Sequence, residues 1–147
     1  MSEAVLQQTF VAMFRFMYPD LVLNLSLNGI SLNGLSTQQK SQLIAECRKQ
    51  GLENGIQDLS IYLPNGLILN LEFKRPNGGV QSPEQKLIQS KLLALGHNYH
   101  LVRDLESIFQ LIADHTTTQY RLDYFSKLQT VTNLPFPIDL FKQYYYL

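Results

Sequence analysis

Tryptophan is absent from this chain of 147 residues, and cysteine occurs once, as Cys47. A lone cysteine closes no intrachain disulfide and supplies no thiolate metal cluster, so a reducing cytoplasm is the expected compartment. No apolar run approaches the roughly 20 residues of a membrane-spanning helix, and no basic-then-apolar leader opens the chain, so no membrane is expected. Excess charge is missing too, with 12 Lys and Arg against 12 Asp and Glu. Tight, nonspecific duplex binders are usually basic, so composition alone does not suggest nucleic acid. Any phosphate contact has to come from a local patch, a bound metal or two copies of a modest surface. Without repeats or low-complexity linkers, the chain reads as one domain, long enough for a sizeable core.

What is present centres on residues 55–74, which read as two strands joined by a tight turn. Pro64-Asn65-Gly66 fits a three-residue hairpin loop, with proline starting a type I turn and Gly66 left-handed. Leu63 then faces Leu67, and counting back along both strands places Asp58 opposite Glu72. Alternation sorts the hairpin into two faces. Leu59, Ile61, Leu63, Leu67, Leu69 and Leu71 make a core face. Asp58, Ser60, Tyr62, Ile68, Asn70, Glu72 and Lys74 make the other. Facing carboxylates, at roughly 5 Å between backbone positions, destabilise a sheet unless a cation sits between them. Lys74 is one such cation. A hard divalent ion is another, because Mg²⁺ takes one or two carboxylates together with water and substrate oxygens. The alternative is a solvated polar face carrying a Glu-Lys surface pair.

Around the hairpin, the spacing predicts a helix over residues 2–17, where Leu6, Phe10, Met13 and Met17 share a face widened by Val5, Val11, Phe14 and Phe16. Pro19 ends it. Residues 21–27 alternate as a strand, and 28–34 form an Asn-Gly-rich loop. Ser36 to Gln39 is a capping box opening a helix that Gly51 stops, with Leu43, Ile44 and Cys47 as its apolar stripe. Ser82, Pro83 and Gln85 carry three signals for the start of a helix that continues through Leu87, Ile88, Leu92 and Leu95 to Gly96. Residues 97–103 read as a short strand, on which His97 and His100 point to opposite faces and make no paired metal site. Leu105, Ile108, Phe109 and Ile112 mark a last helix. Residues 115–147 are an aromatic, irregular extension of a core spanning about 1–114.

Asp58 followed by Glu72-Phe73-Lys74 at the end of the next strand resembles the PD-(D/E)XK nuclease core. The wider set resembles its VRR-NUC branch, of the stand-alone phage or bacterial type: residues 55–59, residues 71–79, Ser82-Pro-Glu-Gln85 and Leu95-Gly96. One departure is Gln57, where the branch usually has proline before the aspartate. The resemblance implies an α/β fold with a restriction-endonuclease-like core, a small mixed sheet flanked by helices in the order αβαββαβα. It implies a single nuclease domain over residues 1–147. In such a site Asp58 and Glu72 hold Mg²⁺ or Mn²⁺ with the Phe73 backbone carbonyl. Lys74 orients or deprotonates the attacking water, and Gln85 assists. The resemblance also brings Glu3 toward the metal, against a plain helix-dipole role, and the Asn28 loop toward DNA. Arg75 and Lys86 are expected phosphate contacts.

The activity that the resemblance implies is metal-dependent DNA endonuclease, selective for branched or junction DNA and working as a homodimer, with the cytoplasm of a bacterial or phage-infected cell as the expected compartment. The alternative is a catalytically silent module on the same fold that binds nucleic acid or inhibits another nuclease.

Overall fold

The computed structural model describes residues 1–26 and 32–116. Helix α1 (Glu3–Met17) is followed by β1 (Val22–Leu25), α2 (Thr37–Lys49), β2 (Leu59–Tyr62), β3 (Ile68–Phe73), α3 (Pro83–Ala94), β4 (His100–Val102) and α4 (Leu105–His115). The fold is α/β, and the order αβαββαβα matches the expectation. The four strands form one mixed sheet in the order β1-β2-β3-β4. β2 is antiparallel to both its neighbours, and β4 runs parallel to β3.

The hairpin register holds. Leu59 pairs with Leu71 and Tyr62 with Ile68, while the Leu63 amide donates to the Leu67 carbonyl at 2.8 Å. The turn itself departs from type I, because Asn65 as well as Gly66 is left-handed, at φ 63° and 75°. Asn is among the few residues that adopt this conformation without a large steric cost, and the register survives because loop length is unchanged.

One face of the sheet is the core. Leu59, Ile61, Leu69, Leu71 and Phe73 are buried there against Leu6, Phe10, Met13, Phe14 and Met17 of α1 and Ile108, Phe109 and Ile112 of α4. Phe10 sits at its centre, with ring centroids 5.6, 6.0 and 5.4 Å from Phe14, Phe73 and Phe109.

Three apolar expectations are corrected. Val5 is 48 % exposed on the solvent side of α1. No residue of α2 is buried, and Leu43 and Ile44 stand 41 % and 37 % exposed. In α3 only Ile88 is buried, while Leu87 and Leu95 are exposed. Amphipathic periodicity says which side of a helix is apolar, not whether anything lies opposite it. The strand expected over 97–103 is shorter, because the side chain of Asn98 takes the ladder's place. Its Oδ1 accepts from the Asn70 amide at 2.9 Å, and its Nδ2 donates to the Ile68 carbonyl at 2.5 Å. The strand expected over 21–27 is described through Leu25. The Asn28 loop and the extension beyond residue 116 lie outside the described residues.

Candidate active site

Around Glu72 the second face of the hairpin is not a solvated one, although Tyr62 further along it is exposed. Glu72 is 0 % exposed, and Lys74 and Asn70 are each 6 % exposed. Unpaired burial of such groups is costly, so each needs partners. Lys74 Nζ donates to Glu72 Oε1 at 2.8 Å. The amide Nε2 of Gln85 donates to the same oxygen, and the Tyr99 hydroxyl donates to Oε2 at 3.2 Å. Glu72 is thus held from β3, α3 and the approach to β4 together. Asp58, just before the last paired residue Leu59, accepts the Phe73 amide on Oδ2 at 2.9 Å, which ties the mouth of the hairpin shut.

Gln85 performs both tasks open to it in the sequence. Its Oε1 accepts the Ser82 amide at 2.9 Å, closing the capping box. Its Nε2 is then left pointing at Glu72. The helix start is therefore also the device that aims the amide. This arrangement depends on Gly55, at φ +80°: a Cβ there would lie 2.5 Å from the carbonyl carbon of Glu84 and 2.7 Å from the Gln85 nitrogen. Only glycine allows the hairpin's entry to touch the backbone of the α3 first turn.

Electrostatics follow from this burial. Burial lifts the Glu72 carboxyl from its ordinary 4.5 to about 6, with the negative charge of Asp58 adding to the rise and Lys74 and Tyr99 opposing it. Asp58 is also raised, chiefly by burial and further by Glu3, against the Phe73 amide and Lys74. The Tyr99 phenol is pushed upward by burial and by the charge of Glu72. Two carboxyls that resist ionisation side by side are a site that gains from a cation.

A solved "VRR_NUC domain" shares this architecture, with a TM-score of 0.50 and 20 % identity over 79 % of this chain and all of that one. This chain has the VRR-NUC fold. Neither a family model nor a curated protein matches the sequence.

Within the VRR-NUC fold, the sequence-predicted residues gather unequally. Asp58, Glu72, Lys74 and Gln85 converge. Glu3 reaches the site from α1, but its Oε1 accepts the Arg75 amide at 3.1 Å, which anchors the loop after Lys74. Arg75 is exposed beside the site, and Lys86 is exposed on α3. Gln57 occupies the departure from the family pattern with a purpose: its Nε2 donates to Ser60 Oγ at 2.9 Å and Asn70 Oδ1 at 2.7 Å.

Two participants were missed in the sequence. In the sequence Tyr99 is only part of a strand, although alternation back from the buried Val102 puts it on the face opposite the core. What was lacking was the pairing of Glu72 with Leu101, which sets that face beside the carboxylate. Arg103 donates to the Arg75 and Gly79 carbonyls, both at 2.8 Å, and braces the same loop that Glu3 anchors. No sequence signal marks such a backbone clamp.

The donor set suits a hard divalent cation. Among the described residues no group of three or more His, Cys, Asp and Glu side chains gathers at a point. Asp58 and Glu72 offer carboxylate oxygens, the hard donors from which a divalent cation can keep water. No helix of the described residues is long and apolar enough to cross a membrane.

Proposed function

We propose that this protein is a metal-dependent DNA endonuclease of the VRR-NUC family, hydrolysing phosphodiester bonds in branched or junction DNA. The observation that carries the proposal is the buried Glu72, bound by Lys74 and Gln85 and close enough to Asp58 to feel its charge. A structural sheet has no need of two neighbouring, desolvated carboxylates. Asp58 and Glu72, with the Phe73 carbonyl, would hold Mg²⁺ or Mn²⁺, and Glu3 stands close enough to raise the Asp58 carboxyl. When bound, the ion supplies Lewis-acid polarisation of the phosphate and acidifies water.

The chain's own residues do the rest. Lys74, tethered to Glu72, directs an ammonium at the attacking water and offsets charge developing on the phosphate. Gln85 presents the second N–H at the same place and holds water or phosphate oxygen. The exposed Arg75 and Lys86 guide the backbone into the cleft, a local patch on a chain with no net charge. Loop 75–79 is preorganised by Glu3 and Arg103, so Arg75 starts from a fixed backbone. A second copy of the chain would present a second cleft to a second strand, and the exposed Leu43 and Ile44 of α2 suit such a contact; a light-scattering mass at the monomer value would count against it. The cytoplasm is the proposed compartment.

Incubating plasmid, linear and four-way-junction DNA with Mg²⁺ or Mn²⁺ tests the reading. Metal-dependent cutting, strongest on the junction, is expected. DNA binding that ignores metal, without cutting, would favour the silent module. A pH series adds a second check. Since Glu72 titrates near 6, protons compete with the cation below that value, and the Kd for Mn²⁺ should weaken by up to about tenfold per pH unit as pH falls further. Calorimetric Mn²⁺ affinity that stays flat from about pH 7 to about pH 5 would contradict Glu72 as a ligand. In the metal-free protein the sense reverses. The raised carboxyl favours folding fully below its ordinary 4.5, and that contribution is lost as pH rises through about 6.

A further inference from the structure

We infer that Tyr99 is a positioning residue for Glu72, fixing the carboxylate's plane so that it receives a divalent cation in one orientation. The inference rests on the metal-dependent reading above. A carboxylate held at one oxygen alone still turns about its terminal bond, because that torsion is broad and soft. Lys74 and Gln85 both take Oε1 and leave this freedom in place. The Tyr99 hydroxyl takes the other oxygen at 3.2 Å, from an element on the far side of β3, and removes it. Tyr99 is itself 6 % exposed, so its ring is held by packing and its hydroxyl cannot drift to solvent.

The polar ladder next to it keeps the ring's backbone in register. Asn98, one residue earlier, makes three bonds to β3: from the Asn70 amide at 2.9 Å, from the Asn70 side-chain amide to its carbonyl at 3.0 Å, and to the Ile68 carbonyl at 2.5 Å. Two residues on, Leu101 pairs with Glu72. Tyr99 is therefore pinned on both sides to the strand that carries the carboxylate it touches. Groups that orient a metal-binding side chain in this way typically carry about 10–100-fold in metal affinity or activity.

The test compares wild type, Tyr99→Phe and Asp58→Ala by Mn²⁺ calorimetry, with DNA cutting measured across a Mn²⁺ series. Tyr99→Phe keeps the ring and removes the one hydroxyl. Its Kd for Mn²⁺ is expected to weaken about tenfold or more, and cutting should return toward the wild-type rate at saturating Mn²⁺. A Tyr99→Phe affinity equal to wild type, whatever its cutting rate, overturns the inference while leaving the nuclease reading intact. Absence of any Asp58-dependent Mn²⁺ site in wild type overturns both. Should Tyr99→Phe fail to fold, wild type still decides the matter. Mn²⁺ binding should perturb the near-ultraviolet tyrosine spectrum, with no such change in Asp58→Ala, and a silent spectrum on binding overturns the inference.

Discussion

Asp58→Ala is expected to slow metal-dependent DNA cleavage by on the order of 10³-fold or more, because cation placement, phosphate polarisation and water activation fail together. The side chain has a structural task as well, since Oδ2 accepts the Phe73 amide. Truncation leaves that N–H without its partner, at a cost of about 1–3 kcal/mol. Asp58→Asn separates the two tasks, as it keeps an acceptor oxygen and loses the charge. If the proposal holds, Asn should recover much of the stability and little of the cleavage. Single-turnover cutting on junction DNA beside thermal unfolding measures both. A cleavage rate for Asp58→Ala within tenfold of wild type would remove Asp58 from the chemistry.

Gly55→Ala should be the most damaging small substitution near the site. Its methyl group would lie 2.5 Å from the Glu84 carbonyl carbon, a contact with backbone that cannot swing aside. The left-handed φ of +80° adds its own cost, about 1–2 kcal/mol for an L-residue. Overpacking contributes roughly 1–3 kcal/mol, so a loss of about 2–5 kcal/mol is expected in total. The less costly escape is for the first turn of α3 to move outward, which withdraws Gln85 from Glu72. Urea unfolding should therefore show a lower midpoint with an unchanged slope, accompanied by slower cutting. An unchanged midpoint would mean that α3 is not seated on Gly55 as described.

Period-two alternation and a loop of three residues set the hairpin register from Leu59 and Leu71 to Tyr62 and Ile68, because a slip of one residue would expose every leucine of the core face. Capping signals located Ser36 and Ser82 as helix starts, since local hydrogen bonds need no tertiary partner. Burial of α2 was not legible, because an apolar stripe does not reveal what stands opposite it. Nor was the state of the acidic face: solvated and buried faces share one alternation, and only α3 and Tyr99 laid over Glu72 separate them.

The sequence by itself determined the local order of helices and strands, the two faces of the hairpin and the identity of the Asp58, Glu72 and Lys74 set, all of which depend on neighbours close along the chain. Only the tertiary structure decided that Gly55 admits α3, that Gln85 caps and reaches Glu72 at once, and that Tyr99 and Arg103 arrive from beyond the crossover. These contacts join residues up to 30 positions apart, and their register is set by packing of whole elements against the core, not by any local preference.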